Sequence, residues 1–92
     1  MAGERTIDGV MAWAGGCQVN HGYSAMIGVQ LGDSARRAVI RGPAYSTLRA
    51  AQNASGGVVA QIIFISNDGL ITLEDGREFQ AYKLKRSSAA LQ

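Results

Sequence analysis

The chain has 92 residues, 47% of them apolar and 17% charged, with one cysteine, one histidine and a net charge of +2. That is enough for one domain with one core and too apolar for a disordered chain, but it leaves little volume for a deep pocket. A single thiol excludes an internal disulfide, and apolar runs such as Ile62 to Ile65 are far too short to span a bilayer. The start, Met1-Ala2-Gly3-Glu4-Arg5, is polar and does not read as a secretory signal, so a cytoplasmic protein is expected.

Thr6 to Ala14 carries Ile7, Val10, Met11 and Trp13 around Gly9 and reads as a strand with a glycine bulge or a short irregular segment. Gly15, Gly16, Asn20 and Gly22 mark a loop from Gly15 to Gly22. Ala25 to Leu31 alternates cleanly, with Ala25, Ile27, Val29 and Leu31 on one face, so a half-buried strand is expected. After Gly32-Asp33-Ser34 the reading forks. Ala35 to Arg41 fits the returning arm of a hairpin, which is preferred, or a helix capped by Asp33 or Ser34.

Gly42-Pro43 then opens a helix of about three turns, with Ala44, Leu48 and Ala51 inward and Gly56-Gly57 as its stop. Val58 to Ser66 is apolar on both faces except at Gln61, the pattern of a central strand covered on both sides. Turns at Asn67-Asp68-Gly69 and Asp75-Gly76 separate it from strands at Leu70 to Glu74 and Glu78 to Arg86, the last either with a bulge near Gln80 to Tyr82 or covered on both faces. Residues 87–92 read as a frayed tail. The expected class is α+β: a small antiparallel sheet of about four to six strands, ending in a three-stranded meander, with one helix packed on it.

Charge is unevenly distributed. From Ser34 to Asn67 there is no carboxylate, yet Arg36, Arg37, Arg41 and Arg49 fall in that stretch. The acids gather at Asp68, Glu74, Asp75 and Glu78, and a second basic group follows at Lys83, Lys85 and Arg86. Arginine suits bidentate contact with carboxylate or phosphate, and Tyr45, Tyr82 and Trp13 are aromatic groups to set beside the cations. The competing reading is an ordinary solvated face, with the later acids folded back as weak surface pairs.

Catalytic signatures are missing. Cys17 and His21 lie four apart, but a nucleophile needs an oriented base, and two ligands fall short of a zinc site. The aspartates sit beside glycine at turns, where their side chains bond local backbone. Neither phosphate-loop spacing is present, so no cofactor or metal is expected.

In general character the chain resembles the small phage- and plasmid-encoded inhibitors of host defence complexes, the type I anti-CRISPR proteins among them. The resemblance rests on short length, a sheet-plus-helix pattern ending in the turns at Asn67-Asp68-Gly69 and Glu74-Asp75-Gly76, and a lopsided charge map. It departs from the acidic, nucleic-acid-mimicking members in being basic. The resemblance implies docking on a larger protein or ribonucleoprotein surface. From the segregated charge and the missing catalytic constellation, the leading expectation is a non-enzymatic interaction protein that docks Arg36, Arg37, Arg41, Arg49, Tyr45, Lys83, Lys85 and Arg86 on an acidic or phosphate-bearing face of a larger assembly. The alternative is a nucleic-acid-binding module in which these cations meet backbone phosphates and Tyr82 or Trp13 stack on bases.

Overall fold

The computed structural model describes residues 3–83. The α+β class stands, but the strands divide between two antiparallel sheets. In chain order the elements are β1 (Glu4–Ile7), β2 (Val10–Val19), β3 (Gly22–Leu31), β4 (Ser34–Val39), α1 (Leu48–Val59), β5 (Ile62–Ile65), β6 (Leu70–Leu73), β7 (Glu78–Gln80) and β8 (Tyr82–Lys83). The larger sheet runs β1-β2-β3-β4-β8 and the smaller β5-β6-β7.

Gly9 is a turn residue and not a bulge. Ile7 pairs with Val10 across Asp8 (φ 51) and Gly9 (φ 83), and two positive φ values give the turn whose twist matches a hairpin. The loop expected from Gly15 to Gly22 is also corrected, because β2 runs through both glycines to a turn at Asn20-His21. A Cβ on Gly15 would stand 2.8 Å from Met26 Cε, and one on Gly16 would stand 2.6 Å from Leu48 Cδ1. These glycines admit neighbouring side chains instead of bending the chain. The hairpin reading of Ala35 to Arg41 holds: Leu31 pairs with Ser34, and β4 follows β3 as far as Val39.

Both predicted helix boundaries move. Tyr45 exchanges backbone hydrogen bonds with Tyr23 (2.8 and 2.7 Å), which keeps the chain extended past Pro43. The helix starts only after Thr47, whose hydroxyl accepts from the Ala50 amide at 3.1 Å. Ala44 and Leu48, expected inside, are exposed; Ala51, Ser55 and Val59 point inward at a spacing of four. The helix also continues through Gly56-Gly57. Burial of Val59 favours this, and Arg5 Nη1 donates to the carbonyls of Val59 (3.0 Å), Ala60 (3.0 Å) and Ile62 (2.9 Å) at its end.

Because Val58 and Val59 are helical, β5 is shorter than the strand expected there. A register shift between Ile62 and Phe64 leaves Ile63 and Phe64 exposed, so β5 is not covered on both faces. The three-stranded meander is present. Its last strand is interrupted at Ala81, whose amide donates to Gly69 O at 2.9 Å, and Tyr82–Lys83 then joins β4 in the other sheet. That change of sheet is the physical form of the irregularity expected near Gln80 to Tyr82.

The core lies between the two sheets and α1. Ile7, Ala12, Ile27, Val29 and Ala38 meet Val59, Ile62, Ile65, Ile71, Leu73 and Ala81. Each fully buried Ile, Leu or Val contributes about 1.5–3 kcal/mol. No described helix is long and apolar enough to cross a membrane.

Candidate functional site

Period-two alternation assigns the two faces of the five-stranded sheet. The inner face, carrying Ala12, Ile27, Val29 and Ala38, packs on α1 and the smaller sheet. The outer face carries Met11, Trp13 and Cys17 from β2, Met26 and Gly28 from β3, Arg37 and Val39 from β4, and Tyr82 from β8. Among the described residues no element packs on it.

One register row crosses the whole sheet: Glu4, Trp13, Gly28, Arg37 and Tyr82 are successive Cα partners. The Trp13 ring lies over Gly28, and the Met26 side chain covers Gly15 in the same manner. Small residues in central strands thus let large side chains lie down on the backbone. The result is a broad apolar surface on which Met11 (46%), Val39 (48%) and Tyr82 (70%) remain exposed. Arg37 is the cation of this row, and its Nη1 approaches Cys17 Sγ at 3.6 Å. Glu4, at the sheet edge, is the face's one carboxylate among the described residues.

The predicted site residues do not form one platform. Arg36 and Arg37 are adjacent in β4 and therefore on opposite faces. Arg36 Nη1 donates to Asp68 O at 2.8 Å, tying β4 to the β5–β6 turn, while its Nε is buried without a partner among the described residues. Lys83 pairs with Arg36 across β4 and β8 and is exposed. Arg41 lies one residue past Ile40, whose amide still donates to Ala25 O; four extended residues, roughly 13 Å, separate it from Arg37. Arg49 is on α1, and Tyr45 is held in its bridge to Tyr23. Lys85 and Arg86 lie outside the described residues.

Among the described residues no carboxylate forms an ion pair with Arg37. Asp75 pairs with Arg77 of its own hairpin at 2.9 Å, with both side chains about half exposed. The Arg77 amide, first of all, and then its guanidinium hold the Asp75 carboxyl below the ordinary aspartate value. The Ser66 hydroxyl does the same for Asp68, with a smaller contribution from Arg36. These shifts arise from turn chemistry in the open, not from a desolvated acid–base pair. Among the described residues no three His, Cys, Asp or Glu side chains are grouped to hold a metal ion. Cys17 lies in β2 against Arg37 and His21 in the turn beyond, which separates the two.

Sequence reasoning missed Met11, Met26 and Val39 as parts of one face. Their strand parity was the available signal, hidden while Gly15 and Gly16 were read as a loop. Comparison with family models, curated proteins and solved structures gives no match.

Proposed function

We propose that the chain is a non-enzymatic docking protein and that the open face of its five-stranded sheet, centred on Arg37, seats on an acidic surface of a larger protein assembly. The observation that carries this is the row Trp13–Gly28–Arg37–Tyr82, an arginine flanked across the strands by two aromatic side chains on a face that also carries Met11, Met26 and Val39. Aromatic residues, Met and Arg are enriched at the centres of protein interfaces, whereas Lys, Glu and Asp are depleted. Arg37 supplies the directional contact and on-rate steering, while Trp13, Tyr82 and the methionines supply buried area. Of the eight cations and aromatics expected at the site, Arg37 is the one that this reading retains at the centre.

Its resemblance to phage and plasmid inhibitors makes a type I CRISPR ribonucleoprotein the first partner to assay. Arg37→Glu combined with Tyr82→Ala is expected to abolish complex formation in calorimetry with the folded chain unchanged by circular dichroism. Undiminished affinity in that variant removes the proposal.

A second reading, binding of single-stranded nucleic acid, draws on Tyr82, 70% exposed and next to Lys83. Two aromatics on an open sheet can stack bases. Arg37 is nevertheless the one cation that the described strands place on the face, and tracking a phosphate backbone takes several. Anisotropy of a labelled single-stranded oligonucleotide at low salt decides: tight binding with a steep salt slope, lost in Tyr82→Ala, would install this reading instead.

A further inference from the structure

A groove of about 710 Å³ runs between β1 and α1, away from the outer face. Gly3, Glu4 and Arg5 form one side; Arg49, Gln52, Asn53, Gly56 and Gly57 of the helix form the other. Two features of this groove have no account in the internal packing.

The first is the free edge of β1. Ile7 pairs with Val10 next to a two-residue turn, and the Ala14 amide donates to Gly3 O, so Gly3, Arg5 and Ile7 spend their backbone groups on β2. Glu4 and Thr6 alternate with them. Their N–H and C=O groups point away from β2 and make no hydrogen bond among the described residues. They form a row of two donors and two acceptors, the template that an added strand reads.

The second is the glycine pair in the helix. Glycine is a poor helix former and persists where something must approach closely. Among the described residues a Cβ on Gly57 would meet nothing within 4 Å, and one on Gly56 would only touch Ala14 Cβ at 4.0 Å. Nothing in the described fold requires either glycine. Both line the groove, where they leave a low wall of helix backbone.

We propose that this groove binds an extended segment of another protein as an additional strand on β1, with an acidic side chain of that segment against Arg49. The charge of the groove selects the sign. Helix α1 contains no acidic residue, and Arg5 already donates to three carbonyls, which leaves Arg49 as the groove's available cation; the Glu4 side chain belongs to the opposite face by alternation. Gln52 and Asn53 on the rim offer amides to the added backbone. This site stands independently of the outer-face reading.

The test uses the full chain and a panel of labelled Val/Thr-rich peptides of about eight residues, enough to cover one strand, each made with either Glu or Lys at the position facing Arg49. Glu peptides are expected to bind, with Lys peptides roughly tenfold weaker or worse. Thr6→Pro removes an outward amide without touching the β1–β2 ladder, and Gly57→Leu fills the groove from a position with open space. Both variants are expected to lose binding, and Arg49→Glu to reverse the preference. No binding by any peptide, equal binding of Glu and Lys peptides, or binding retained in Gly57→Leu overturns the proposal. If Thr6→Pro does not fold by circular dichroism, Gly57→Leu alone decides. A dimer in sedimentation that Gly57→Leu or Thr6→Pro dissolves also overturns it, because a second copy then occupies the edge.

Discussion

The ring of Trp13 lies directly over Gly28, so that a Cβ at residue 28 would stand 2.1 Å from Trp13 Cε2. Tryptophan rarely lies flat on a central strand unless its cross-strand neighbour has no side chain. The two residues are Cα partners in the β2–β3 register, and together they set the height of the outer face beside Arg37.

Gly28→Ala should therefore lift the indole. Overpacking of this kind costs about 1–3 kcal/mol. Trp13 is the chain's one tryptophan, so its fluorescence reports on the site alone. A red-shifted emission with a lower denaturation midpoint is expected.

Arg5 holds the end of α1 through the carbonyls of Val59, Ala60 and Ile62. Arg5→Ala leaves those carbonyls to water and should cost about 1–3 kcal/mol, as for hydrogen bonds from a charged donor. Arg5→Lys should recover part of this, since an ammonium still complements the helix end but cannot span three acceptors. Urea denaturation measures both.

Gly57→Ala should do the opposite. The site has open space, and replacing glycine by alanine within a helix gains up to about 1 kcal/mol. A higher thermal midpoint is expected, which would show that the glycine is not there for stability.

Acid should weaken the fold partly through Asp68 and Asp75. Each carboxyl is held below the ordinary aspartate value in the folded chain, by the Ser66 hydroxyl and the Arg77 amide respectively. The unfolded chain therefore binds more protons in the window between the two values. Their contribution is present above the ordinary aspartate pKa and is lost as pH falls through the lowered one. The double variant Asp68→Asn, Asp75→Asn should flatten the acid limb of a stability–pH profile taken from about pH 6 to about pH 2.

Much of the local structure was legible because its causes are local. The alternation of Ala25, Ile27 and Val29 specified β3, and Gly32-Asp33, Asn67-Asp68-Gly69 and Asp75-Gly76 specified turns. The misreadings share a different cause. Gly15, Gly16 and Gly28 answer to Met26, Leu48 and Trp13, and Tyr45 answers to Tyr23 across the chain, so their meaning depends on contacts that periodicity does not carry. The helix outlasts Gly56-Gly57 because Arg5, far away in sequence, secures its end. The outer face is the extreme case. Trp13 and Tyr82 come into one row only through the β4–β8 pairing made after the chain changes sheets at Ala81. Strand geometry, once known, also splits Arg36 from Arg37, a separation that the charge map alone conceals.

The most direct measurement of the docking account is a matched affinity capture from a host lysate with three baits, read by quantitative mass spectrometry. The baits are the unchanged chain, Arg37→Glu with Tyr82→Ala, and Arg77→Glu, a charge reversal on the small-sheet hairpin remote from the outer face. The account predicts a protein complex retained by the first and third and lost from the second. Retention of the same complex by all three would contradict it.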